Sequence, residues 1–188
     1  MKPTILILVS VLLPTLFPSQ SQPSWLREEK SDPLRGTHFV QFSLEGRYLT
    51  APRHAPPSAT PAMIVRCIPG TYNHGHSKGK FLNGYIFVDG VVDTGQAGSV
   101  HVQYRLDDGK LQSDVWSHST DFSSVFFPAV DFNNLLYGHL LAHKEGTNLQ
   151  VRKVVVGLEE FLGAEIVVQF DMPDATEVAG TCGVIWQK

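Results

Sequence analysis

The stretch that most limits the fold is residues 99–127, SVHVQYRLDDGKLQSDVWSHSTDFSSVFF. Val100, Val102, Tyr104 and Leu106 alternate with His101, Gln103 and Arg105. A period of two sends the two sets to opposite faces of a half-buried strand. Asp107-Asp108-Gly109-Lys110 follows. Asp-Gly between alternating segments is a hairpin signal, because Gly enters φ > 0 without steric cost. Leu111, Val115 and Trp116 resume the apolar pattern less regularly. An antiparallel hairpin is therefore expected, with Tyr104, Arg105, Asp107, Asp108 and Gly109 as its structural residues.

Other short apolar segments surround it. Residues 37–50 (THFVQFSLEGRYLT) read as a short hairpin or bent strand turning at Glu45-Gly46. Residues 51–61 hold four prolines and read as a loop, since Pro lacks the N–H that a central strand needs. Residues 63–68 (MIVRCI) form a buried strand candidate, followed by a polar loop over 69–80. Residues 81–92 read as a strand pair or one bulged strand, with bends at Gly84 and Gly90. Residues 149–157 and 164–172 are rich in β-branched residues and supply two more strands. A helix is expected over 131–141, and a shorter one from Pro173-Asp174 to about Gly180. The sum is a mainly β, antiparallel β-sandwich of about seven or eight strands with one or two short helices.

The chain has 188 residues, which suits one folded domain, and 43% hydrophobic residues suffice for a core. Lys+Arg is 15 against 18 for Asp+Glu, so the net charge is −3. A weakly acidic chain offers no electrostatic footprint for nucleic acid. Met1-Lys2 and the apolar run over residues 5–17, with polar small residues after it, read as a signal peptide cleaved near Gln22. An uncleaved membrane anchor is the alternative, but the run is short for a span and Pro14 interrupts it. The expected organisation is a signal over 1–22, a flexible leader over 23–36 and a single β domain over 37–188. No stable membrane span is expected after cleavage. The destination is the periplasm or the exterior.

That compartment decides how Cys67 and Cys182 are read. They are the two cysteines of the chain, and outside the cytosol an even count points to a disulfide. The rival is a catalytic or metal-binding thiol, for which there is no CxxC spacing.

Arg66-Cys67, the Tyr104-Arg105-x-Asp107-Asp108-Gly109 hairpin, Trp116-x-x-Ser119-x-Asp121, Phe170-Asp171 and Cys182-Gly183 occur in that order. In this the chain resembles the TagO/VasI-like family of small exported accessory proteins associated with bacterial type VI secretion, and related exported bacterial proteins. The resemblance covers roughly residues 63–186. It implies a two-cysteine, non-catalytic exported β domain. Residues 37–61 and the histidine-containing loop depart from the pattern.

Chemistry has several candidates. His74 and His76 form an HxH pair on a loop, a weak metal signal beside the reading as a solvated loop. Asp107 and Asp108 suit calcium or acid chemistry, or the hairpin turn itself. Arg105 could pair with Asp107 or Asp121. Ser117-His118-Ser119-Thr120-Asp121 holds triad residue types, but neighbours on one extended segment point to opposite faces. Tyr72, Tyr85 and Trp116 are candidate binding aromatics, with the core as the alternative for Trp116. No cofactor and no catalytic residue are expected. The leading expectation is an exported, non-enzymatic accessory or binding protein whose partner is a protein or envelope component. The alternatives are a small-ligand or carbohydrate-binding sandwich and a metal-assisted enzyme using loop histidines.

Overall fold

The computed structural model describes residues 22–34, 36–74, 77–92, 99–127, 151–160 and 163–183. Among these residues are ten strands: β1 (Leu26–Asp32), β2 (Thr37–Glu45), β3 (Arg47–Thr50), β4 (Ala62–His74), β5 (Ser77–Phe87), β6 (Val100–Leu106), β7 (Gln112–His118), β8 (Ser124–Phe126), β9 (Lys153–Glu160) and β10 (Ala164–Asp171). Among the described residues one helix, α1 (Thr176–Cys182), follows. All pairings are antiparallel, in the order β1-β2-β4-β5-β8-β7-β6-β9-β10-β3. The architecture is mainly β, as the alternation and turn spacing require, and the expected signal and the helix over 131–141 lie outside the described residues.

The sheet is continuous but folded over. β7 pairs with β6 on one side and with β8 on the other, so it belongs to both layers. At the far ends, β2 and β3 are joined through Gly46 alone. Yet β2 pairs with β1 and β4, while β3 pairs with β10. One residue can connect them only if the two ends of the sheet lie over one another. A side chain at Gly46 would place its Cβ 2.6 Å from the Phe170 ring and 2.8 Å from the Gln169 carbonyl. Glu45-Gly46 is thus a corner between layers rather than the hairpin turn expected there. A glycine signals a bend, but not whether the flanking strands pair.

The inner faces fill the space between layers. Phe42, Leu44, Met63, Val65, Ile86, Val102, Trp116, Val156, Leu158, Ile166 and Phe170 are all buried. The alternation is clearest in β9, where Val154, Val156 and Leu158 point inward. α1 packs against β4 and β5 and carries Cys182 to Cys67, with the Cα atoms 4.8 Å apart. Asp174 Oδ1 accepts from the Thr176 N–H and hydroxyl at its start, and Gly183 closes it in the left-handed conformation. The disulfide expected from the cysteine count is present.

Two stretches differ from the sequence expectation. Residues 23–36 are not all leader, since β1 pairs with β2 along its whole length. Its charges (Arg27, Glu28, Glu29, Lys30) hid it, because an edge strand tolerates charge on both faces. The loop expected at 69–80 is the distal half of the β4–β5 hairpin. The ladder slips between Ile68 and Tyr72, where Pro69 and Gly70 fall, so the proline is taken up in an irregularity instead of ending the strand.

The β6–β7 hairpin forms as expected, and Asp107 does more than turn it. Asp107 adopts φ +50°, and its Oδ1 accepts from the backbone N–H of Arg152 and of Lys153, both at 2.8 Å. Its own N–H donates to the Lys153 carbonyl at 2.8 Å. The turn is therefore clamped to the entry of β9. Asp107→Ala is expected to cost about 1.5–3 kcal/mol, the worth of hydrogen bonds to a charged group. Asp107→Asn, which tolerates the same φ, recovers part of it. Urea unfolding of the two variants checks the order.

Candidate functional site

The outer face of the first layer carries the densest grouping of side chains expected to bind. Arg66 projects from β4, between Gln41 of β2, directly opposite in register, and the diagonal residues Phe39 and Tyr85. Inward residues Val65 and Cys67 flank it in sequence, so alternation forces the guanidinium outward. Its Nε donates to Gln41 Oε1 at 3.0 Å. Its Cζ lies 4.9 Å from the Tyr85 ring centroid and 5.6 Å from that of Phe39. Two ring faces and one amide hold the group in place. Tyr85 also packs against Phe126 of β8, with centroids 5.6 Å apart, and is only 8% exposed. That burial raises its phenol pKa, and the Arg66 charge opposes the rise.

Among the described residues Arg66 has no carboxylate partner. Among the described lysine and arginine side chains, Arg66 and Lys153 are the two drawn back from full exposure. Lys153 has Asp108 Oδ1 at 3.3 Å. No carboxylate of the described residues pairs with Arg66.

The remaining candidates are dispersed. Trp116 is not a surface aromatic: it is 2% exposed, inside the core beside Phe127 and Tyr104. Tyr72 and His74 lie on β4 near the hairpin tip, and His76 lies outside the described residues. Among the described residues no group of three His, Cys, Asp or Glu could hold a metal ion. Asp108 is almost fully exposed. Neither Asp107 nor Asp121 pairs with Arg105; both are engaged in turns.

The Ser-His-Asp segment is also a turn. His118 Nδ1 faces the Ser119 carbonyl at 2.7 Å, and its ring stacks on Phe122. Asp121 Oδ1 accepts from the Ser119 hydroxyl and from the Ser123 hydroxyl and N–H. Ser119 therefore gives its proton to the acid, not to an imidazole, which is the wrong order for a triad. These bonds, the Ser119 hydroxyl first, hold the Asp121 carboxyl below its ordinary pKa. A depressed folded pKa adds stability above the unfolded pKa and loses it as pH falls through the folded value. The stability advantage of the wild type over Asp121→Asn is therefore expected to shrink below about pH 4. Urea midpoints at neutral and acid pH check it; a constant difference refutes it.

A second concavity, of about 420 Å³, opens on the outer face of the other layer. His101, Gln103, Ser113, Glu159 and Glu165 line it, over Gly157, where a Cβ would come 3.2 Å from Glu165 Oε1. Its lining is mixed, with no Phe, Tyr or Trp among the described residues that line it.

The fold and the first face define an antiparallel β module with an arginine held on its outer surface. The chain matches no family model, no curated protein and no solved structure.

Sequence reasoning singled out Tyr85 but missed Phe39 and Gln41. The missing signal was the pairing register: nothing local says that Gln41 and Arg66 face one another.

Proposed function

We propose that this protein is an exported, non-enzymatic accessory or binding protein of the bacterial envelope, acting in the periplasm or outside the cell. It docks another protein on the outer face of β2, β4, β5 and β8. The observation that carries this reading is Arg66 fixed between Phe39 and Tyr85, with no carboxylate partner among the described residues. Aromatic side chains and arginine are the residue types enriched where proteins bind one another. The disulfide fits an oxidising compartment. The reading as a catalyst has less support, because the Ser119–Asp121 pair is spent on its own turn. The carbohydrate alternative has less support too, because no Phe, Tyr or Trp is among the described residues that line the concavity of the second layer.

The test is photo-crosslinking in the producing cell. A photoreactive residue replaces Ser43 or Phe87, which project from this face, or Arg105, exposed on the opposite layer. Discrete protein adducts are expected from the first two and not from the third. Absence of adducts from Ser43 and Phe87 would overturn the proposal.

A further inference from the structure

We infer that Phe122, in the β7–β8 turn, is an anchor for the docked protein, its ring entering an apolar socket on that partner. The inference rests on the protein-docking reading above and adds the residue that fixes the partner at the end of β8.

Five described residues have a positive φ: Gly36, Asp107, Phe122, Gly163 and Gly183. Glycine enters that region freely, and aspartate is among the few other residues that tolerate it. Phe122, at φ +59°, is the exception. A bulky side chain stays in that conformation only where its surroundings over-determine the turn. Here they do. Asp121 Oδ1 accepts from the Ser119 hydroxyl and from the Ser123 hydroxyl and N–H. The Phe122 N–H donates to the Ser119 carbonyl at 3.0 Å, and its carbonyl accepts from the Val92 N–H at 3.1 Å. The Ser119 N–H donates to the Ser124 carbonyl at 2.9 Å and closes the loop. Short hairpin loops ordinarily place Gly at such a position. A strained residue held where glycine would be easier is a mark of a binding loop.

The Phe122 ring stacks on His118, with centroids 4.9 Å apart and planes 27° from parallel, and it stays 39% exposed. The stack sets where the ring points, and the exposed part is what a partner can cover. Val91, whose neighbour Val92 bonds the Phe122 carbonyl, is 50% exposed. An aromatic ring with an exposed valine on the segment bonded to its turn suits an apolar socket on a protein. The turn runs directly into β8, whose Phe126 packs against Tyr85 on the docking face, so one partner can cover both. A ring positioned in advance loses little freedom on binding, and buried aromatic anchors carry a large share of the affinity between proteins.

The experiment repeats the photo-crosslinking in the producing cell, with the photoreactive residue at Thr120, exposed in the turn, or at Ser43 on the docking face. The same protein adduct is expected from both. Phe122→Gly and Phe122→Asn suit the left-handed backbone and lack the ring. Each is expected to keep a urea midpoint close to that of the wild type, because relief of the backbone offsets the lost stacking. Each is expected to lower the yield of the Ser43 adduct roughly 10-fold, the weight of a hot-spot residue. Phe122→Tyr keeps the ring and is expected to retain most of the adduct. An undiminished Ser43 adduct in the Gly and Asn variants, an equal loss in Phe122→Tyr, or no adduct from Thr120 while Ser43 crosslinks sinks this inference and leaves the docking reading standing. A urea midpoint that falls markedly in both the Gly and Asn variants assigns the ring to the fold and overturns the inference too. A ring-dependent Thr120 adduct with none from Ser43 or Phe87 sinks the docking face instead. An adduct whose added mass is carbohydrate, or a second copy of this chain, overturns the assignment to a partner protein.

Discussion

Removing the Cys67–Cys182 bond is expected to lower the unfolding free energy by about 4–5 kcal/mol, the largest effect of any single change in this chain. The two residues are 115 positions apart. In the chain-entropy model a cross-link closing a loop of that size restricts the denatured ensemble by about 4.7 kcal/mol. Total stabilities of folded domains are about 5–15 kcal/mol, so the loss is a large share of the whole. Both sulfurs lie in the core, with Cys67 3% and Cys182 1% exposed. Reduction thus also releases the bond that ties α1 to β4. Urea unfolding with and without reductant measures the effect, and a double Cys→Ala variant separates it from thiol chemistry. A difference under about 1 kcal/mol would mean that the reduced denatured chain already keeps the two segments close.

Trp116→Ala is expected to cost about 3–5 kcal/mol, the range for truncating a large buried aromatic. Trp116 sits on β7, the strand that both layers share, opposite Val100. Its ring lies 4.4 Å from Phe127 and 5.8 Å from Tyr104 by centroid. Truncation therefore empties space where the sheet folds over. The indole Nε1 is buried with no hydrogen-bond partner among the described residues. An orphaned buried donor is unfavourable by about 1–3 kcal/mol. Trp116→Phe removes that donor while keeping a ring, so its cost is expected to be less than half that of Ala. If Phe is as damaging as Ala in denaturant unfolding, the indole N–H has a partner in solution.

The sequence was most informative where a local signal carried the whole answer. Asp107-Asp108-Gly109 marked the β6–β7 turn, and the alternation of Val100, Val102 and Tyr104 marked its first strand. The disulfide followed from a count of two. Pairing between distant strands was not legible. Glu45-Gly46 read as a hairpin turn because the glycine marks a bend in either case, and only Phe170, far along the chain, makes it a layer corner. The same blindness hid the candidate site. Tyr85 stood out as an aromatic, but its meaning depends on Arg66 lying diagonal to it and Gln41 opposite Arg66. The edge strand β1 was masked by its charges, which protect an edge but read as linker.

The one-residue step at Gly46 also sets a timetable. β2, β4 and β5 find partners among near neighbours in the chain. β3 does not: Thr50 meets Val167 of β10, and Cys67 waits for Cys182. Contacts of such long sequence span slow folding, because the intervening chain must be ordered first. During synthesis the first layer can assemble while β3 stays an open edge. The module becomes whole when β10 and α1 emerge, so truncations that remove them should leave an adhesive half-sandwich rather than a smaller stable fold.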